Sequence, residues 1–122
     1  MNTDLTKKHC VPCEAGTAPF TNDQIQTYTS VVPTWEVVPS PKDLPAGKTG
    51  NVSHKITKRF KFRDFREALG FVNKVGEIAE KEGHHPDIKI VYNRVILDLF
   101  THAIWGLSEN DFIMAVKIDQ LI

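Results

Sequence analysis

Residues 64–86 read DFREALGFVNKVGEIAEKEGHHP, and the rest of the chain is arranged around them. Asp64-Phe65-Arg66-Glu67 is a capping signal, with an acidic side chain placed to accept from unpaired backbone N–H groups. Behind it Phe65, Ala68, Leu69, Val72, Val75 and Ala79 recur at intervals of three and four, the spacing that lines one side of an α-helix. The pattern predicts a helix over about 64–82, with Gly83 as its C-terminal stop.

Outward from that helix the period changes to two. Upstream, Val52, Ile56, Phe60 and Phe62 occupy even positions, with Ser53, Lys55, Thr57, Arg59 and Lys61 between them. That alternation predicts a half-buried strand. Downstream, Ile88–Tyr92 and Val95–Phe100 are rich in β-forming residues and are separated by Asn93-Arg94, which predicts an antiparallel hairpin. Further upstream, Val31–Val38 is β-branched around Trp35 and predicts a short strand within 34–38.

Thr21-Asn22-Asp23-Gln24 reads as a capping box for a short helix over about 22–30, with Ile25 and Tyr28 on one side. Ser108–Asp111 caps a last helix carried by Phe112, Ala115, Val116, Ile118 and Leu121. Pro39–Asn51 holds three prolines and two glycines and reads as a loop. Residues 1–20, with Pro12, Gly16 and Pro19, read as an irregular arm ahead of one domain over 21–122. The expected fold is α+β, a two-layer domain with a four-stranded antiparallel sheet and three helices on one face. An apolar patch on the other face would be covered by oligomerisation.

Composition narrows the function. A chain of 122 residues fits one domain and buries roughly two-thirds of its unfolded surface. Fifteen Lys and Arg balance fifteen Asp and Glu, without the basic excess of a dedicated nucleic-acid binder. No apolar run approaches the ~20 residues that span a bilayer. Met1–Lys8 is polar, unlike a secretory leader, so a cytoplasmic location is expected. Cys10 and Cys13 are the only cysteines, too few for a secreted disulfide framework. His9-Cys10-Val11-Pro12-Cys13 is at most half of a metal site, and reduced thiols are expected there.

Histidines carry the chemistry that remains. His84-His85-Pro86 follows the long helix, and Pro86 pushes His85 into extended backbone. The two rings can then approach one pocket from different directions, and imidazole both gives and takes a proton near neutral pH. Taken alone, the pair reads rather as a polar helix exit. Metal binding is a third reading, although adjacent histidines lack the i, i+4 spacing common in such sites. His102 ends the last strand, where side chains leave the sheet. Alone it would be structural, and it gains interest if it meets His84 and His85. Glu80 stands four residues before His84, on the same helix face, and could orient an imidazole or simply be a solvated glutamate. Asp111 suits a helix N-terminus. Trp35 reads as core, with the option of stacking on a flat ring. His54 alternates with apolar neighbours and reads as structural. There is no glycine-rich phosphate loop and no Gly-x-Ser-x-Gly nucleophile motif.

Glu80, His84, His85, Pro86, Tyr92, His102 and Asp111 together have the spacing of the pterin-4a-carbinolamine dehydratase family, which the chain resembles over about residues 20–122. Phe60-Lys61-Phe62-Arg63-Asp64-Phe65 and Gly106-Leu107-Ser108-Glu109 also look like that family. The Cys10–Cys13 arm resembles N-terminal extensions of some microbial members. The resemblance implies a homo-tetramer or homo-dimer acting on a pterin, with no cofactor, no metal and no direct nucleic-acid or membrane partner. It implies dehydration of 4a-hydroxytetrahydropterin to quinonoid dihydropterin and water, recycling the cofactor of aromatic amino acid hydroxylases. It makes His84, His85 and His102 the catalytic groups, and Glu80, Trp35 and Asp111 substrate-site residues. Some animal members also act as dimerisation cofactors of a transcription regulator, so a non-catalytic interaction scaffold is the alternative.

Overall fold

The structure is a computed structural model that describes residues 5–10, 19–39, 54–104 and 106–122, with Thr6, Pro39 and His102 described in backbone only. The elements run α1 (Asn22–Thr29), β1 (Glu36–Pro39), β2 (His54–Lys61), α2 (Phe65–Glu82), β3 (Asp87–Val91), β4 (Arg94–Leu99) and α3 (Glu109–Asp119). Short 3-10 turns span Leu5–Lys7 and His102–Ile104. The four strands form one antiparallel sheet in the order β1-β2-β4-β3. Three helices against this sheet make the two-layer α+β domain that the periodicity predicts.

Register decides which sheet residues face the helices. Ile56 lies opposite Leu99, and Phe60 opposite Val95. These four are buried with Leu97, beneath Ala68, Phe71, Val75 and Ala79 of α2 and Phe112, Ile113, Ala115 and Ile118 of α3. Because strand side chains alternate, the intervening residues Lys55, Thr57, Arg59 and Lys61 form the outer face with Arg94, Ile96 and Asp98. That face is mainly charged, and Lys55 Nζ pairs with Asp98 Oδ2 at 2.9 Å. Of the exposed apolar side chains, Val91 shares this face opposite Arg94, while Ile88 at the β3 edge, Tyr92 in the turn and Phe65 and Leu69 on α2 lie elsewhere.

The capping signals at Thr21 and Asp64 act as read. Thr21 Oγ1 accepts from the Gln24 N–H while Gln24 Oε1 accepts from the Thr21 N–H. Asp64 Oδ1 accepts from the Glu67 N–H at 2.9 Å. Gly83 closes α2 in the left-handed conformation at φ 67°, and its N–H donates to the Ala79 carbonyl.

Three details differ from the sequence reading. The apolar stripe of α2 is rotated, so that Phe71 is buried while Phe65 and Leu69 are 47% and 40% exposed. The apolar residues of this helix cover an arc wider than the sheet can bury. Phe71 selects the buried part by packing its ring 4.7 Å from Phe60 and 5.0 Å from Phe62. The β3–β4 turn is Tyr92-Asn93, not Asn93-Arg94, since Val91 pairs with Arg94. Tyr92 takes a φ of 52°, and Asn93 anchors the turn by donating from Nδ2 to the Phe62 carbonyl at 2.9 Å. The first strand starts at Glu36, which leaves Trp35 just ahead of it.

The arm is not wholly irregular. Leu5 is 1% exposed and joins the core beside α3. Cys13 and the 40–53 loop lie outside the described residues.

Candidate active site

Two joints in the fold bring the site together. At the first, α2 ends and β3 begins. Gly83 turns the chain, the His84 N–H donates to the Ala79 carbonyl at 3.2 Å, and buried Pro86 starts the extended segment. At the second, β4 leaves the sheet through Phe100 and Thr101. Thr101 pairs with Gly106 in an isolated bridge, and its N–H donates to the Gly106 carbonyl at 2.8 Å. The short loop so closed delivers Ser108 and Asp111 to the start of α3.

Asp111 is the centre of this arrangement. It is fully buried, and a buried carboxylate is costly unless donors surround it. Here Oδ1 lies 2.7 Å from His84 Nε2. Oδ2 accepts from the Thr101 hydroxyl and from the Ser108 N–H, both at 2.9 Å. Thr101 Oγ1 and Ser108 Oγ are 2.8 Å apart and share a further hydrogen bond. The first turn of α3 adds its unpaired N–H groups and favourable dipole. With Asp111 accepting at both oxygens, the His84 proton sits on Nε2, and Nδ1 of the neutral ring is the acceptor. The His84 side chain is only 11% exposed, so the ring is held from one side and nearly enclosed.

The second pair is open. His85 Nε2 and Glu80 Oε2 are 2.5 Å apart, with side chains 60% and 79% exposed. This revises the expected partnership of Glu80. Spacing on a continuous helix would pair it with His84, but the left-handed Gly83 ends that face. His84 swings away to Asp111, and His85 returns to Glu80.

The remaining expected residues divide. The backbone of His102 follows Thr101 directly, and Thr101 touches Asp111. The His102 side chain lies outside the described atoms. Trp35 is placed apart from these pairs. It is 2% exposed, its ring stands edge-on to Phe60 at 6.2 Å, and Nε1 donates to both Asp119 oxygens at 3.1 and 3.2 Å. Asp119 is eight residues beyond Asp111, about 12 Å along α3. The sequence marks Ser108 only as a cap and a family-like position, and it does not single out Thr101, whose one signal is its place before His102. Among the described residues no three His, Cys, Asp or Glu side chains gather as a metal site. An open groove beside α1, lined by Ile25, Gln26, Thr29, Pro33 and Val37, holds no titratable side chain.

Two adjacent histidines of an α+β domain thus each face a carboxylate, one pair buried and one exposed. The family model for pterin 4 alpha carbinolamine dehydratase matches residues 18–121, and the chain belongs to that family. A Rubrobacter xylanophilus relative named as a pterin-4-alpha-carbinolamine dehydratase is 41% identical over 119 residues, covering 98% of this chain and 99% of its own. One of the same name from Halorhodospira halophila is 45% identical, covering 96% of each chain. Among solved structures, a transcriptional coactivator/pterin dehydratase from Brucella melitensis superposes with a TM-score of 0.68 at 32% identity, over 84% of this chain and 97% of that one. A pterin dehydratase-like protein identified as a RuBisCO assembly factor of the alpha-carboxysome shares the fold, with a TM-score of 0.54 at 20% identity over 72% of this chain and 88% of that one.

Proposed function

We propose that the chain dehydrates a 4a-hydroxytetrahydropterin, with histidines as general acid and base. The observation that carries this reading is the His84–Asp111 pair beside the exposed His85–Glu80 pair, in a chain of the carbinolamine dehydratase family. The C4a hydroxyl leaves only if it is protonated. As the C4a–O bond breaks, the N5 lone pair forms the C4a=N5 double bond, and the N5 proton must go to a base. The products are water and quinonoid dihydropterin, with no net proton consumed. One acid and one base around a flat ring contribute about 10²–10⁴-fold each.

In this scheme His85, whose ring is open to a ligand, carries the main proton transfer, and Glu80 tunes it. His84, oriented by Asp111, holds the hydroxyl together with His102. Asp111 acts through His84 and does not touch substrate. Trp35 is left out of the ring-binding surface, because its faces are already in the core. Recycling of the pterin cofactor of aromatic amino acid hydroxylases, in the cytoplasm, is the role that fits this reaction. The exposed Ile88, Val91 and Tyr92 at the β3 edge, with Phe65 and Leu69 on α2, support a homo-oligomer.

Those same surfaces favour the second reading, a non-catalytic interaction scaffold. The Brucella relative is described as both a coactivator and a dehydratase. Stopped-flow ultraviolet decay of 4a-hydroxytetrahydropterin, with wild type and His85→Ala in parallel, separates the two. Acceleration by wild type that collapses in the variant supports the dehydratase. No acceleration above the spontaneous rate leaves the scaffold.

A further inference from the structure

The arm makes contacts that neither the fold nor the proposed chemistry uses. Lys8 Nζ meets Glu109 Oε2 at 3.0 Å, and Cys10 Sγ donates to the Asn110 carbonyl at 3.6 Å. Both targets immediately precede Asp111. His9 Nδ1 lies 3.0 Å from Glu82 Oε2, and the Cys10 N–H donates to Glu82 Oε1 at 2.8 Å. Glu82 is the last residue of α2, two before His84. Three consecutive arm residues therefore hold the two chain segments that carry the His84–Asp111 pair, from outside that pair. Leu5, three residues before Lys8, is itself buried in the core.

Glu82 is the joint of this strap. Its side chain is 2% exposed at a helix end, where a carboxylate finds no help from the dipole. Lys117 Nζ, 3.8 Å from Oε2, is the further cation beside it. A buried carboxylate keeps this position only while its donors are present. With the arm away, the carboxylate loses the His9 and Cys10 contacts that tie the end of α2 in place.

We propose that residues 8–10 and Glu82 are a positioning device for the proposed active site. The docked arm fixes the spacing between the end of α2 and the start of α3, and so holds His84 on Asp111. Its effect on turnover rests on the dehydratase reading, but its effect on the His84 ring does not.

Two variants of the full chain test it. The Lys8→Ala/His9→Ala double variant removes side chains that are 46% and 69% exposed and so opens no cavity. Glu82→Gln keeps an acceptor for the Cys10 N–H and loses the charge. The readouts are the histidine-ring ¹H–¹⁵N spectrum, kcat and KM for the carbinolamine, and Tm. The expected result is a His84 Nε2 resonance displaced from its hydrogen-bonded position, with kcat about tenfold lower and KM changed less than about twofold. An unchanged His84 ring and unchanged kcat, with only Tm lowered, overturn the proposal and make the arm a stabiliser. Loss of amide dispersion in the double variant overturns it equally, since the arm would then serve folding. If wild type proves inactive, the ring spectrum alone decides.

Discussion

Asp111 Oδ1 and His84 Nε2 lie 2.7 Å apart across 27 residues of chain, with the carboxylate fully buried and the imidazole nearly so. One contact thus closes the C-terminal end of α2 onto the N-terminal end of α3 and fixes which nitrogen of the ring carries hydrogen. The contact joins two helix ends and, in the proposed mechanism, orients His84.

Asp111→Asn separates those two contributions. The amide oxygen, in the place of Oδ2, can still accept from the Ser108 N–H and the Thr101 hydroxyl, but the amide nitrogen, in the place of Oδ1, cannot accept from His84. One donor is left facing another in a buried site, at about 1–3 kcal/mol. The variant is expected to fold with a lower urea midpoint and an unchanged slope. Turnover of the carbinolamine should fall about 10²-fold, as the ring loses its fixed tautomer and orientation. Parallel urea titration and stopped-flow decay check it.

Glu80→Gln should behave in the opposite way. Glu80 and His85 are both mostly exposed, and a surface pair contributes about 0–1 kcal/mol. Stability should therefore hold within about 0.5 kcal/mol. In the proposed mechanism kcat falls, because the carboxylate no longer orients the proton-transfer ring. A kcat equal to that of wild type in stopped-flow decay would remove Glu80 from the mechanism.

The contrast between these two carboxylates shows what the sequence could and could not reveal. The helices, the strands and the α2 cap are legible because period, caps and glycine stops are local. The pairing of carboxylates with histidines is not. Counting four residues from Glu80 leads to His84, and only the left-handed turn at Gly83 redirects it to His85. Asp111 reads as a cap because it is one, and its second oxygen is what the cap leaves for His84. Glu82 reads as one more charge in Glu80-Lys81-Glu82, yet it is buried under an arm more than 70 residues away in sequence. Tertiary contacts of that separation leave no periodic trace.

Trp35→Phe tests whether the indole belongs to the core or to the pterin. The substitution keeps an aromatic ring against Phe60 and removes the donor to Asp119, which retains Lys58 Nζ at 2.8 Å. A loss of about 1–2 kcal/mol is expected from the missing hydrogen bond and the smaller ring. KM for the carbinolamine should stay within about twofold of wild type. A several-fold rise in KM without loss of stability would instead place Trp35 at the substrate.

Acid and alkali should act on different ends of the arm-and-helix cluster. Burial raises the Glu82 carboxyl, but the Cys10 N–H, His9 and Lys117 outweigh it and hold the group below its ordinary 4.5. Glu109 is likewise raised by burial and lowered further by the Tyr28 hydroxyl and Lys8. A depressed carboxyl binds protons less readily in the folded chain than in the unfolded one. Its stabilisation is complete above 4.5 and is lost as pH falls through the lower folded value. Burial, with the Glu109 carboxylate accepting from its hydroxyl at 2.8 Å, pushes Tyr28 from 10.0 up to about 12. Here the sign reverses. The fold holds the phenol proton, so this contribution is complete below 10.0 and is lost as pH rises through about 12. Phenolate absorbance at 295 nm should then show a late step near 12 from Tyr28. Tyr28→Phe should abolish the late step, and a wild-type curve without that step would break the Tyr28–Glu109 link.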